Sequence, residues 1–368
     1  MTRGAPSQAD QYVIDELASR GVVVTASQLE SWRRAGLLPR HGRRGLGRGR
    51  GSVVAMVDPL VIETAAALVR HTRQGRDRRC AVLGWFAEAG KPQLPGAVPV
   101  PEPPAAAVHE AVVWAVARSP VQQILDLARA SGSGGEETGD AFYAAAGELL
   151  RAHPHHVSAH PGVVRAALMA GQDVPEGPSG EGIVHLLAAV GMGPDEVGAD
   201  AMAHAFAATG MFGLPAHEWA QMLSAAEQTE GPAVDWSLLD RAFDPLAQAQ
   251  RAVYQDLLDA RTVLTGLRGF GAMYFMHALF MPDTAGLTAL RERIDASGMG
   301  VALIGMLNLS ASPAVFAWDL TVCLDRAWHE LHDALFDPGL FDLSGQESGA
   351  THFMDTWIRA VREQIPPR

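Results

Sequence analysis

Short polar and basic side chains recur between positions 25 and 34, and their spacing places them on the outer face and flanks of one short helix. They are Thr25, Ser27, Gln28, Ser31, Arg33 and Arg34. Glutamine and arginine form paired hydrogen bonds with base edges in the major groove of DNA, and serine adds a small donor and acceptor. Leu29 and Trp32 fall on the opposite, inward face. The pattern predicts a helix that contacts base edges.

Arginines separated by glycines follow this segment. They are Arg40, Arg43, Arg44, Arg48 and Arg50. Glycine lets the backbone approach phosphate, and arginine is favoured in a narrow minor groove. A second group of arginines, suited to phosphate contacts, falls where two later helices are expected to meet. It comprises Arg70, Arg73, Arg76, Arg78 and Arg79. Both groups indicate contact with double-stranded DNA.

Local signals place these side chains on a compact series of elements. Thr25 is a suitable N-cap for the polar helix, and Gly36 and Pro39 end it. Asp58 and Pro59 form a start signal for a later helix, as N-cap and first helical residue. Further helices are expected at Gln11–Arg20, Leu60–Arg73 and Asp77–Ala89, and an apolar strand at Ser52–Val57.

From Val24 to Pro39 the chain resembles, without gaps, the winged helix-turn-helix of MerR-type transcriptional regulators. The residues that carry the resemblance are Leu29, Trp32, Arg34, Gly36, Leu37, Leu38 and Pro39. The positions that depart from the family's pattern are Glu30 and Ser31 before the aromatic residue, and Met56 and Asp58 at the end of the wing. The resemblance covers about residues 11–90 and implies a winged head that binds duplex DNA as a homodimer on a palindromic site. The family's effector-linked cysteines are not found, which argues against a thiol-based metal sensor.

The charge of the chain is divided unevenly along its length. Residues 1–91 carry 15 Arg and Lys against 8 Asp and Glu, a net charge of +7, whereas residues 92–368 carry 14 against 33, a net charge of −19. A basic module on an acidic body is typical of a nucleic-acid-binding head. Two distant cysteines, Cys80 and Cys323, and an N-terminus without an apolar segment predict a cytoplasmic protein.

The remaining three quarters of the chain indicate a mainly α protein. Residues 1–92 are interpreted as the DNA-binding domain, residues 93–104 as a proline-rich linker, and residues 105–368 as an all-α helical domain for oligomerisation or sensing. The clearer helices expected here are Ala105–Ala130 with a break at Pro120, Ala141–Ala152, Pro161–Ala170, Gly182–Val190, Pro194–Ala208, Ala216–Thr229, Trp236–Leu267, Ala285–Ala296, Ala314–Phe336 and Thr351–Gln364.

Two features of this region admit more than one interpretation. The uncharged run Gly269–Pro282 is either a buried core helix or the wall of an apolar pocket for a small ligand or protein partner. The pocket residues would be Met273, Tyr274, Met276 and His277. Histidines cluster within residues 153–160 and recur at His329 and His332, but both patterns favour a polar helix surface or turn over a metal site. No metal or cofactor is expected. No membrane span is expected either, because glycine, proline and polar residues interrupt the apolar runs.

These observations favour a sequence-specific, DNA-binding transcriptional regulator with a helical effector or oligomerisation domain. No nucleophile elbow, phosphate-binding loop or dinucleotide fingerprint is present in the sequence, so an enzyme is not expected. The alternative is a mobile-element or phage-defence protein, similar to an excisionase or repressor, whose helical body is a protein-interaction or effector module.

Overall fold

The computed structural model describes a chain that is mainly helical. The residues it describes are 6–45, 52–54, 57–72, 77–91, 96, 98–131, 136–152, 167–173, 184, 203–204, 207, 216–221, 244–280 and 313–336. The predicted α class is thus confirmed. Among these residues, no helix is both long and apolar enough to cross a lipid bilayer.

Four helices and a small hairpin make up the first 90 residues. They are α1 (Gln8–Ser19), α2 (Ala26–Arg34), β1 (Arg43–Gly45), β2 (Ser52–Val54), α3 (Pro59–His71) and α4 (Arg78–Ala89). The two strands are antiparallel, with Arg43 opposite Val54 and Gly45 opposite Ser52.

Side-chain caps fix where three of these helices begin. Thr25 and Gln28 form a capping box at α2, in which each side chain accepts a hydrogen bond from the other's backbone N–H. Asp58 accepts from the N–H of Leu60 at α3, and Asp77 accepts from the N–H of Arg79 at α4. After α2, Gly36 adopts a φ of 71°, the left-handed conformation that glycine permits at a helix end. The predicted starts of these helices are therefore confirmed within one residue.

Seven further helices are described in the rest of the chain. They are α5 (Ala105–Ala117), α6 (Pro120–Ser131), α7 (Glu136–Ala152), α8 (Pro245–Arg251), α9 (Tyr254–Phe280), α10 (Pro313–Val322) and α11 (Arg326–Phe336). The predicted break at Pro120 is confirmed, and Ser119 caps the new helix by accepting from the N–H of Gln122.

Two of the predicted helices have the wrong extent. The helix expected at Trp236–Leu267 is interrupted after Arg251, since Ala252 is extended and Asp256 then accepts a hydrogen bond from the N–H of Val253 to start α9. That second helix continues to Phe280. The helix expected at Ala314–Phe336 is divided into α10 and α11 by a turn at residues 323–325. Residues 285–296 and 351–364 lie outside the described part of the chain, as do most of the residues between 153 and 243.

The main hydrophobic core runs through α1–α6 and α8–α10, with α5 at its centre, and a smaller second core lies between α6 and α7. Val108, Ala111, Val112, Ala115 and Val116 of α5 are almost fully buried. The helix contacts α4 on one side and α8, α9 and α10 on others. Leucine and aromatic residues of α1–α4 belong to the same cluster. A boundary at residues 92–104 therefore does not separate two independent cores.

The end of the proline-rich segment is packed against both sides of this core. The indole Nε1 of Trp85 in α4 donates to the carbonyl of Pro101 at 2.6 Å, and Tyr254 of α9 donates to the carbonyl of Pro103 at 3.2 Å. Between these residues, Glu102 accepts two hydrogen bonds from Arg261, each 2.7 Å long. Residues 101–103 thus form a fixed contact between α4 and α9.

Candidate nucleic-acid interface

The polar helix α2 has one buried face and one exposed face. Leu29 is fully buried and Trp32 is 4% exposed, and both pack into the core shared with α1 and α3. Ser27, Ser31 and Arg34 lie on the exposed side. Because the two inward residues fix the rotation of the helix, these three polar side chains are presented together to solvent.

Arg34 has a partner that it can exchange. Its Nη2 lies 3.3 Å from Oε1 of Glu30, one helical turn earlier, with side chains 77% and 54% exposed. An exposed pair at this spacing contributes about 0.3–0.5 kcal/mol. Arg34 is therefore able to leave Glu30 for a base or a phosphate at little energetic cost, and Glu30 neutralises it in the free protein.

Two of the residues predicted to contact DNA, Thr25 and Gln28, form the cap of α2 in the free protein. The side-chain oxygen Oε1 of Gln28 accepts hydrogen bonds from the backbone N–H and the hydroxyl of Thr25, at 2.8 and 3.0 Å. The hydroxyl of Thr25 also accepts from the N–H of Gln28. A paired hydrogen bond from Gln28 to adenine would open this capping box, so contact of these two residues with bases stays a prediction that would compete with the cap.

Arg33, also predicted to contact DNA, is turned inward. Its side chain is 9% exposed, and its Nη2 forms an ion pair with Oδ1 of Asp10 in α1. The same nitrogen lies 2.8 Å from Nε2 of His41. Burial alone would raise the pKa of Asp10, but hydrogen bonds from Arg33, Ser7 and His41 outweigh it and hold that pKa below its ordinary value. Arg33 is therefore part of an internal cluster.

The hairpin continues directly from this cluster. Arg40 is exposed, and Arg43 and Arg44 lie in β1, opposite Val54 and Val53 of β2. The structure describes the backbone of these two residues. Arg48 and Arg50 of this group, and Arg73 of the second group, lie outside the described residues.

Two arginines of the second predicted group, Arg70 and Arg79, are engaged within the protein. Arg70 forms an ion pair with Glu88 at 2.9 Å, and that carboxylate also contacts His71. Burial alone would raise the pKa of Glu88, but the hydrogen bonds from His71 and Arg70 hold it below its ordinary value. Arg79 binds Asp77 at 2.8 Å and lies 4.5 Å from the ring centroid of Trp114. A hydrogen bond from Arg79 lowers the pKa of Asp77 to about 2.

The side chains of the predicted apolar pocket cannot be placed. Met273, Tyr274, Met276 and His277 lie on the last turns of α9, and their side chains are outside the described part of the chain. An open groove of about 510 Å³ lies elsewhere, between the α8–α9 junction and the start of α11. Its lining combines the charged or titratable residues Arg251, Asp256, Asp259 and His329 with the apolar Ala252 and Leu324.

Both of the later histidines lie on α11 and contact neighbouring groups of the protein. His329 Nε2 lies 2.9 Å from the carbonyl oxygen of Cys323, and His332 contacts Asp333. Among the described residues, no group of three or more His, Cys, Asp or Glu side chains is arranged to hold a metal ion. The histidines within 153–160 lie outside these residues.

Four polar residues with clear structural roles were not predicted from sequence. Asp10 and His41 complete the cluster around Arg33, and Glu102 and Arg261 join the proline-rich segment to α9. No local pattern marks these ion-pair contacts, because the residues that they join are between 8 and 159 positions apart.

The geometry of α2 and the hairpin is the basis for assigning a function. Compared with known proteins, the chain matches no family model, no curated protein and no solved structure.

Proposed function

We propose that the first 91 residues bind double-stranded DNA in a winged helix-turn-helix arrangement, with α2 in the major groove and the β1–β2 hairpin as the wing. In this proposal the chain is a sequence-specific transcriptional regulator that acts in the cytoplasm as a homodimer. The helical remainder supplies the dimer contact and a site for an effector, for which the end of α9 with Met273 and Tyr274 is the candidate.

The exposed face of α2 carries the proposal. Ser27, Ser31 and Arg34 are held outward by the burial of Leu29 and Trp32 on the other side. Arg34 is the side chain of this face best suited to paired hydrogen bonds with guanine, and the serines fit closely against a base edge or phosphate. In this proposal Ser27, Ser31 and Arg34 form the surface that contacts bases, because Thr25, Gln28 and Arg33 are engaged in contacts within the free protein.

The distribution of charge supports a wing beside this face. Residues 40–50 contain five arginines and no acidic residue, and the antiparallel pairing of β1 with β2 makes a short hairpin of the kind that lies against a DNA backbone. The net charge of −19 over residues 92–368 repels phosphate. DNA would consequently be confined to the basic end of the molecule.

The test is DNA binding by the full chain, because α1–α4 share their core with α5 and a fragment ending at residue 92 would expose it. Fluorescence anisotropy is measured with labelled duplexes from the region upstream of the gene and with random-sequence duplexes, over a salt series. We expect Arg34→Ala to weaken binding to the preferred duplex by about ten-fold or more, the loss typical of one paired base contact.

Arg326→Ala is the matched control. Arg326 forms an exposed ion pair with Glu330 on α11, at 2.8 Å with side chains 89% and 65% exposed, so it repeats the Arg34–Glu30 arrangement far along the chain. This variant should leave DNA affinity unchanged. Absence of binding at low salt, or equal effects of the two substitutions, would contradict the proposal. A steep salt dependence without sequence preference would instead favour the mobile-element alternative.

A further inference from the structure

Three charged or titratable side chains form a nearly buried cluster next to the start of the hairpin in the chain. Arg33, Asp10 and His41 have exposed fractions of 9%, 15% and 9%. Oδ1 of Asp10 accepts from Nη2 of Arg33 and lies 3.2 Å from Nε2 of His41, while its Oδ2 accepts from the hydroxyl of Ser7 at 2.8 Å. The cluster joins the first turn of α1, the last turn of α2 and the residues that precede β1.

The cluster is not arranged for maximum stability. Among the described residues, Nε of Arg33 and Nδ1 of His41 are buried without a hydrogen-bond partner. Leaving a buried polar group unpaired opposes folding, and replacing a buried ion pair by apolar side chains is often neutral or stabilising. A buried ionic group instead specifies one arrangement, because any other position of the partners leaves a charge without compensation.

The position of His41 indicates that the cluster specifies where the hairpin begins relative to α2. Leu37 and Leu38 are buried after α2, Pro39 and Arg40 are exposed, and His41 is the last inward residue before Arg43 begins the hairpin. Two residues of extended chain span about 7 Å, so fixing the imidazole fixes the start of β1 within that reach. At the other end of the hairpin, Val57 packs against the core just before α3.

We propose that Asp10, Arg33 and His41 are positioning residues that lock the hairpin to α2. This extends the proposed function, since the cluster then sets the distance between the side chains that enter the major groove and the arginines of the wing. The three residues do not touch DNA themselves. They hold the wing in one orientation in the free protein. Ordering the wing therefore does not reduce the free energy of DNA binding.

Two substitutions of similar size separate hydrogen bonding from packing. In His41→Gln the amide oxygen can accept from Arg33 while the amide nitrogen donates to Asp10, so both contacts are retained. In His41→Leu the volume is filled and both contacts are lost. Amide hydrogen exchange of the full chain without DNA gives the first readout. We expect exchange in β1 and β2 to be about five- to ten-fold faster in His41→Leu than in the natural protein, and close to the natural rate in His41→Gln.

Exchange in α10, which is buried far from the cluster, is the internal control. Faster exchange confined to the hairpin supports the positioning role of the cluster. Unchanged hairpin exchange in His41→Leu, or equal acceleration in α10, overturns it. DNA binding is then measured on the same variants. If the natural protein binds no duplex while the hairpin exchange result is as expected, the proposed function fails but the positioning role of the cluster is retained. If it binds DNA, His41→Leu should weaken binding and reduce its salt dependence, and His41→Gln should restore both.

Discussion

Replacing Arg261 with methionine is expected to loosen the contact that joins α4 to α9. Arg261 is 8% exposed and holds Glu102 through two hydrogen bonds of 2.7 Å. Its Nη1 also donates to the backbone carbonyl of Phe86 at 3.0 Å, and the guanidinium lies 4.3 Å from the centroid of the Phe86 ring. Methionine keeps an unbranched apolar side chain over that ring and removes all three hydrogen bonds.

The size of the effect follows from the exposure of the two partners. A hydrogen bond to a charged group contributes about 1.5–3 kcal/mol when buried. Glu102 is 44% exposed, so water screens its interaction with Arg261 and the lower value applies to the pair as a whole. The bond to the Phe86 carbonyl adds about 1 kcal/mol. We therefore expect Arg261→Met to lower the free energy of unfolding by about 2–3 kcal/mol, and Glu102→Gln by about 1–2 kcal/mol.

Urea denaturation of the two single variants and the double variant measures the pair directly. Tryptophan fluorescence follows unfolding, and Trp85, whose indole donates to the neighbouring Pro101 carbonyl, is one of the eight tryptophans that contribute to it. The double variant should lose about 1 kcal/mol less than the two single losses combined, because the second substitution removes a partner that is already gone. Additivity within about 0.5 kcal/mol would show that Arg261 and Glu102 do not stabilise each other and would refute the reasoning.

Gly90 gives an independent check of the same contact. A Cβ at this position would lie 2.5 Å from Nε of Arg261, so alanine must displace the guanidinium. Gly90→Ala should destabilise the natural protein by about 1–3 kcal/mol. In the Arg261→Met background the loss should be smaller, because methionine bends away more easily. Equal losses in the two backgrounds would show that alanine at position 90 destabilises the protein through a contact other than the one with Arg261.

Two more outcomes follow from single side chains. Thr25→Ala should destabilise α2 by about 1 kcal/mol and speed amide exchange there, whereas Thr25→Ser should retain the capping box; equal exchange rates in the two variants would contradict that role. Burial raises the pKa of Asp319 from 3.8 to about 7 despite the neighbouring Arg268, so the folded state holds a proton that the unfolded state releases at lower pH. The stability contributed by the protonated Asp319 carboxyl is present below about pH 4 and lost as the pH rises to about 7. Asparagine cannot ionise, so between pH 4 and 8 the Asp319→Asn variant should lose less stability than the natural protein. The difference should reach about 4 kcal/mol in chemical denaturation. A steeper loss in the variant would show instead that the ionised pair with Arg268 is favourable.

The parts of the fold that sequence predicts well depend on neighbours in the chain. Asp58 with Pro59, and Asp77, begin α3 and α4 through hydrogen bonds that span two residues. Pro120 ends α5 for the same local reason, because it cannot donate a helical hydrogen bond. The inward face of α2 was also predictable, since Leu29 and Trp32 are spaced three residues apart.

The candidate site was predicted less well, because helical spacing does not tell which flank is covered. Arg33 is next to Arg34 in the chain, yet one is buried against Asp10 and the other is 77% exposed. The difference depends on a carboxylate 23 residues earlier and an imidazole 8 residues later. Gln28 has a suitable side chain for a base edge, but the free N–H of Thr25 is nearer and takes its oxygen. Long-range and competing contacts of this kind have no local signature.

The helix α9 explains how distant parts of the chain are held in one core. Arg261 and Arg268 are seven residues apart, which is about two helical turns, so they leave α9 on the same side and about 10 Å apart along its axis. Arg261 reaches Glu102 beside α4, and Arg268 reaches the buried Asp319 of α10. Their guanidinium groups also lie over Phe86 and Phe316, whose rings are 6.4 Å apart between centroids. A shift of α9 along its axis would therefore disturb both ion pairs together, so a ligand or partner that moved this helix would act on the packing of α4 as well as on α10.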